Sequence, residues 1–479
     1  MERRSGGAGD GRGSRDTAHE LARYEALFAA RTRGMKSSAM REMMALTERS
    51  DVISLAGGLP DTSTFPPELF AKLMSQVAAE STARALQYGP TEGMEATVQC
   101  IVEVMAAEGT DVDPGEVIVT TGGQQVIDLV CKTLIDPGDV IVAEAPTYPG
   151  AVPTFSAYQA QVEQIEMDAD GMPIDALEEV LDRMQADGRR PKFIYTIPNF
   201  HNPGGVTMSL PRRRRLVEVA RERELLVLED NPYGLLRYEG ESLPTLYSLD
   251  AESMGRGGGS DLVIYLGTFS KILAPGLRLG WAVAPRAVLE KLNLAKQGAD
   301  LCSSPMTQLF VAAYFAERDW REYLETLKSL YRRRRDVMFE ALEQHFGSGA
   351  SWTTPEGGLF VWATLDGDAD TTDLLARSEG VAFVPGRAAY ADGRSGSSSM
   401  RLNFAGVAED DIREGVRRIG EALGRQAGLL GAFTGTPAAP ASEARARERQ
   451  PQAPEEGLAD VVQLPLRSAG DETRRRRDR

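Results

Sequence analysis

Five short apolar runs recur through the middle of the chain: Val117-Ile-Val119, Val140-Ile-Val-Ala143, Phe193-Ile-Tyr-Thr-Ile197, Leu225-Leu-Val-Leu-Glu-Asp230 and Leu262-Val-Ile-Tyr-Leu266. Unbroken apolar runs of this length predict strands buried on both faces, and the amphipathic stretches between them, such as Leu216 to Glu224, predict helices. Their alternation places the chain in the α/β class, with a mainly parallel sheet sandwiched by helices. Past residue 300 the period changes. Helical patterns cover Met306 to Tyr314 and Trp320 to His345, and strand signals follow at Phe360-Val-Trp-Ala363 and Val381-Ala-Phe-Val384. These predict a smaller α+β domain, completed by the segment Asp51 to Leu55. The expected organisation is a tail over 1–18, an N-terminal helix or arm over 19–57 joining the small domain, a large domain over 58–300, a small domain over 301–428 and a second tail over 429–479. The Gly, Arg and Ser at one end and the Pro, Ala, Glu and Arg at the other read as disordered.

Composition narrows the classes. At 479 residues, 42% apolar and 26% charged, the chain can bury a large core, and its net charge of −16 disfavours nucleic acid or an anionic membrane as partner. The runs Arg212 to Arg215 and Arg332 to Arg335 fall inside helical patterns and read as solvated faces. Cys100, Cys131 and Cys302 lie far apart, supporting neither a disulfide framework nor a zinc site, so the cytoplasm is the expected compartment. With only His19, His201 and His345, no polyhistidine metal centre is expected. The apolar run Leu309 to Phe315 is too short to span a bilayer.

The chemistry concentrates where apolar strands end, which is where open parallel sheets bind ligands. Lysine is scarce, eight against forty-six arginines, and Lys271 sits in the apolar, Gly-punctuated run Tyr265-Leu-Gly-Thr-Phe-Ser-Lys271-Ile-Leu-Ala-Pro-Gly-Leu-Arg278. A desolvated amine there would be a nucleophile able to form a Schiff base, although a structural ion pair is an open alternative. Thr120-Thr-Gly-Gly123-Gln124 places glycines between a strand and a helix, so backbone amides of the helix N-terminus can face an anion. Ser270 and Arg278 could complete a phosphate cup. Asp230 ends a strand and could keep a pyridine nitrogen protonated, or simply cap the next turn. Asn202 and Tyr233 could both donate to a ring oxygen.

Together these segments resemble the fold type I pyridoxal-phosphate-dependent aminotransferases, in the branch of 2-aminoadipate and kynurenine aminotransferases. The likeness covers about residues 33 to 425, and Gly267-Thr-Phe-Ser-Lys-Ile-Leu-Ala-Pro-Gly-Leu-Arg-Leu-Gly-Trp281 is highly specific to it. It implies a seven-stranded large-domain sheet and pyridoxal 5'-phosphate as cofactor. Lys271 would carry the Schiff base and shuttle the proton, Asp230 would pair with the ring nitrogen, and Tyr233 and Asn202 would hold the ring oxygen. Ser270, Arg278, Gly123 and Gln124 match the phosphate contacts, and Tyr148 matches the aromatic stacked on the ring. Tyr88 resembles the tyrosine that reaches the neighbouring subunit's phosphate, implying a homodimer with shared sites. Arg401 matches the grip on the substrate carboxylate, Asn202 would contact substrate as well as the ring oxygen, Gly58 lies in the substrate-side turn, and Arg41 sits where an arginine can meet an acidic side chain. Two departures stand out: Asn202-Pro-Gly-Gly205 replaces Asn-Pro-Thr-Gly, and His201 replaces a common glutamine. His201 reads as a loop histidine bonded to backbone.

The implied activity is ping-pong transfer of an amino group between an L-amino acid (glutamate, 2-aminoadipate, aromatic or branched) and a 2-oxo acid. A decarboxylase, β-lyase or oxidase outcome on the same cofactor is the alternative. A ligand-sensing regulator would need a DNA-binding domain ahead of Met35, for which the preceding Gly- and Arg-rich residues are too few.

Overall fold

A computed structural model describes residues 23–35, 51–255, 259–367, 369–378 and 380–434. Its strands are β1 (Ile53–Ser54), β2 (Val117–Thr120), β3 (Val140–Ala145), β4 (Gln161–Glu166), β5 (Pro191–Thr196), β6 (Leu226–Asp230), β7 (Val263–Thr268), β8 (Gly280–Val283), β9 (Ala350–Trp352), β10 (Phe360–Leu365), β11 (Val381–Ala382), β12 (Val384–Pro385) and β13 (Ser399–Asn403). Seven of them form the central sheet in the order β2-β8-β7-β6-β5-β3-β4. From β4 across to β7 the neighbours are parallel, and only β8 runs against β7 and β2.

Each of the five apolar runs is a strand of this sheet, and the reason is visible in the packing. Val117 and Val119 enter one apolar cluster while Ile118 enters another, and Val263 and Tyr265 divide from Ile264 and Leu266 in the same way. Successive side chains feed opposite faces, so a strand covered on both sides must be apolar throughout. The two strands outside those runs give a weaker signal. β4 is an edge strand that mixes exposed Gln161 and Glu166 with buried Ile165, and β8 spans four residues beginning at a glycine.

The helix Trp320–His345 has the predicted bounds, and Asp319 caps it by accepting from Arg321 N at 3.0 Å. A four-stranded sheet, β12-β13-β10-β9, and a parallel pair, β1 with β11, make up the remainder. The predicted strand Val381 to Val384 is divided at fully buried Phe383: β11 pairs with β1, whereas β12 pairs antiparallel with β13. Between residues 23 and 35 the chain makes short 3-10 turns, Glu25–Leu27 and Ala30–Gly34, and the second packs on the helix Ala151–Ala157. The expected tail over 1–18 lies outside the described residues. The last described helix, Glu409–Thr434, runs past the boundary expected at 428. No described helix is long and apolar enough to cross a membrane.

The arginine runs correct the expectation of solvated faces. Arg213, Arg334 and Arg335 are buried, because four consecutive residues sweep more than a full helical turn and some must face inward. Arg334 pairs with Asp61 and donates to Ala405 O, while Arg335 pairs with Glu239 at 3.0 Å. Arg334 thereby braces the turn that follows β1.

Candidate active site

The C-terminal ends of the parallel strands open into one cavity of about 510 Å³, and Lys271, Asp230, Tyr233, Asn202 and Tyr148 all line it. Gly123, Gln124, Ser270, Arg278, Gly58 and Arg401 line it as well. At one end the helix Gly123–Leu134 points its N-terminus inward, and its first amides have no partner within the helix. Gly122 precedes it at φ 84°, and a Cβ there would lie 2.5 Å from Arg278 Nη2, so the guanidinium lies directly over the helix start. Arg278 itself is left-handed, at φ 50°. Thr268 Oγ1 donates to Ser270 Oγ at 2.9 Å, and Ser270 N returns a bond to Thr268 Oγ1 at 3.1 Å. Amides, a hydroxyl and a guanidinium thus converge as a cradle for a dianion. Gly122→Ala is expected to weaken phosphate-dependent cofactor affinity at least about tenfold, since both φ and the Cβ contact oppose it by roughly 1–3 kcal/mol. Titration of the cofactor-free protein reads this directly.

Midway along the cavity, Asp230 closes β6, buried, and accepts from Tyr195 Oη at 2.6 Å. Burial pushes its carboxyl up to about 7, with Tyr195's hydrogen bond pulling it down and Glu144's charge adding to the rise. Such a carboxyl gains most from a cation placed against it. Asn202 Nδ2 lies 3.3 Å from Tyr233 Oη. Lys271 follows β7, and its Nζ donates to Gly58 O. Burial, then the charges of Arg401 and Arg278, lower its amine to about 8, so it gives up its proton closer to neutral pH than an ordinary lysine does.

The opposite end belongs to Arg401 on β13, which has no exposed surface. It donates to Asn202 Oδ1 at 2.9 Å and to Ala56 O at 2.6 Å, and it lies 4.3 Å from the Phe360 ring centroid. Burial lowers its guanidinium to about 10, with the neighbouring Tyr233 and Tyr148 hydroxyls acting against that fall. It therefore stays cationic at neutral pH. Leu59, Pro232 and Pro275 add apolar wall to the cavity.

Of the two remaining expected residues, one is not brought there and the other is not described. Tyr88 is 77% exposed and does not line the cavity of its own chain, and Arg41 lies outside the described residues. His201 is a buried loop histidine, as expected: its Nδ1 accepts from Gly204 N at 3.1 Å, and its Nε2 sits 3.1 Å from Glu144 Oε2. It does not line the cavity. Sequence reasoning missed Tyr195 and Thr268, which hold Asp230 and Ser270. The signal for Tyr195 was its parity with Phe193, which aims it at the same face of the sheet as Leu228 and hence Asp230. A larger cavity of about 770 Å³, bordered by Glu166, Asp170, Trp352 and the backbone after Asn202, contains none of the expected site residues.

The donor set suits a phosphorylated pyridine aldehyde: an anion cradle, a buried carboxyl for a ring cation, two polar groups for a ring oxygen and an amine of lowered pKa within one cavity. Known proteins agree with that fit. Residues 50–419 match the model of aminotransferase class I and II. Aromatic-amino-acid aminotransferase 1 of Thermococcus litoralis is 43% identical over 403 residues, 84% of this chain and 94% of that protein. The 2-aminoadipate transaminase of Thermus thermophilus is 40% identical over 391 residues, covering 81% of this chain and 94% of the relative. The crystal structure of Pyrococcus horikoshii kynurenine aminotransferase in complex with PMP superposes with a TM-score of 0.78 at 39% identity, over 85% of this chain and 99% of the other. The chain belongs to the class I and II aminotransferases, and within them to the fold type I, pyridoxal-phosphate-dependent enzymes of the aminoadipate, kynurenine and aromatic branch.

Proposed function

We propose that this aminotransferase takes its amino group from glutamate or a similar donor and passes it to a larger 2-oxo acid. The observation that carries the reading is the meeting of Lys271, Asp230, the Gly123 helix start and Arg401 in one cavity. Bound pyridoxal phosphate supplies an aldehyde that takes up the amino group and a ring that withdraws the electron pair left at the substrate α-carbon. The chain's own residues do the rest. The amides of Gly123 and Gln124, with Ser270 and Arg278, hold the phosphate; Asp230 holds the ring nitrogen cationic; Tyr233 and Asn202 hold the ring oxygen; and Tyr148 covers the ring. Lys271 anchors the cofactor and, once released, moves the proton to and from the substrate α-carbon.

Arg401 fixes the substrate carboxylate, which sets which α-carbon bond faces Lys271. The apolar wall of Leu59, Pro232 and Pro275 suits an aromatic or branched side chain, and the names of the relatives point to aromatic, kynurenine and aminoadipate substrates. Arg41 would meet an acidic one. Tyr88, largely exposed and not among the residues lining its own cavity, supports a homodimer in which it reaches the neighbour's phosphate. The central sheet then belongs to a larger cofactor domain (58–300) and the sheet around β13 to a smaller one (301–428). Free cysteines, two of them buried, suit the cytoplasm.

A panel of amino donors against 2-oxo acids tests the substrate class, and failure of every aromatic, branched and aminoadipate-type member would reject it. Arg401→Lys tests the carboxylate end. A lysine keeps the charge but not the planar fork, so KM for the amino donor should rise about 10- to 100-fold while the absorbance of the bound cofactor stays put. An unchanged KM would remove Arg401 from the substrate.

A further inference from the structure

Arg213 sits in a run of four arginines yet exposes no surface, and its Nε and Nη2 donate to the active-site loop. That loop leaves the sheet at Pro198, carries Asn202 and ends at Met208, where Met208 N donates to Pro198 O at 2.8 Å. The guanidinium fills the neck. Its Nε donates to Met208 O at 2.9 Å, and its Nη2 donates to Pro198 O at 2.9 Å and to Asn199 Oδ1 at 2.7 Å. Nη1 reaches Pro244 O at 2.9 Å. Asn199 Nδ2 in turn donates to Asn231 Oδ1 at 2.9 Å, and Asn231 directly follows Asp230. One side chain therefore joins both ends of the loop that bears Asn202 and, through a single amide pair, ties that loop to the strand end bearing Asp230.

We propose that Arg213 is a positioning residue for amino transfer, holding the loop neck so that Asn202 stays in contact with both Arg401 and Tyr233. The proposal rests on the reading of Arg401 as the grip on the substrate carboxylate, with Asn202 Oδ1 accepting from it. Its physical basis is the fork of an arginine, which presents donors in fixed directions to several carbonyls at once, something a lysine ammonium cannot match. Burial lowers the guanidinium to about 10, with Glu229 as the leading charge that resists the fall, so it remains charged at neutral pH. A plain packing role would make a different prediction: loss of stability with an unaltered site.

The test uses the cofactor-loaded enzyme with Arg213→Lys, and with Asn199→Ala as a gentler variant that keeps the guanidinium and removes only one of its acceptors together with the link to Asn231. Each is made alone and together with Asn202→Ala. Three quantities are read: KM against kcat for the amino donor, the Kd of a non-reacting carboxylate analogue from the absorbance of the bound cofactor, and the melting temperature. Asn199→Ala should raise KM and the analogue Kd about tenfold, the loss of roughly one charge-assisted contact. In the Asn202→Ala background the same change should move them less than about twofold, because the group being positioned is gone. A lower melting temperature with KM and Kd unmoved, or effects that multiply fully with Asn202→Ala, would overturn the proposal. If Asn202→Ala itself left the analogue Kd unchanged, the reading of the carboxylate end would fall and the proposal with it.

Discussion

Lys271→Ala is expected to bind pyridoxal phosphate and lose amino transfer by at least about 10³-fold, within the range that removal of a positioned acid–base group and nucleophile produces. The cradle made by Gly123, Gln124, Ser270 and Arg278 does not involve the lysine, so affinity for the phosphate survives. What vanishes is the amine, and with it the group that holds the proton facing the substrate α-carbon. Folding should be nearly untouched, because the one hydrogen bond described for Nζ is to Gly58 O, a contact of about 1 kcal/mol. Single-turnover absorbance of the bound cofactor, read beside a melting curve, separates chemistry from stability. Wild-type turnover in this variant would move the reaction elsewhere.

Asp230→Asn should be the next most damaging change, lowering kcat by about 10²-fold or more. The amide fits the same space and still offers Tyr195 an acceptor, so only the charge is lost. In the chain alone that carboxyl sits near 7, raised by burial. A cationic ring nitrogen against it would pull the value down, and by linkage the carboxylate would hold that nitrogen protonated to higher pH. Removing one member of a buried pair costs about 3–5 kcal/mol, enough for the expected loss. Tyr195→Phe is the control: it removes a single hydrogen bond and should cost about tenfold or less. Equal losses in the two variants would mean that orientation, and not charge, is what Asp230 provides.

Much of this was legible before any coordinate. Strands buried on both faces must be apolar throughout, which exposed five strands of the sheet, and the residues that follow them are the ones the cavity collects. The edge strand β4 and the short β8 escaped because one carries polar residues on both faces and the other, Gly-Trp-Ala-Val, has a single β-branched residue. Val381 to Val384 reads as one strand, yet the chain changes sheets at Phe383, an outcome decided by pairing partners far away in sequence. Tyr195 finds Asp230 across 35 positions; its parity with Phe193 gives the face of the sheet but not the partner on the neighbouring strand. The arginine runs misled for a different reason. Composition records their charge, but only the helical phase of Arg213 and Arg334 shows that each points inward and braces a loop of the site.

On the proposed function, the amine of Lys271 is the group joined to pyridoxal phosphate. Borohydride reduction of the cofactor-loaded protein, followed by peptide mass mapping, tests it without reference to substrate. The added mass should fall on the peptide containing Lys271 and on no other. Label on a different lysine, such as buried Lys296, or no label at all, would contradict it.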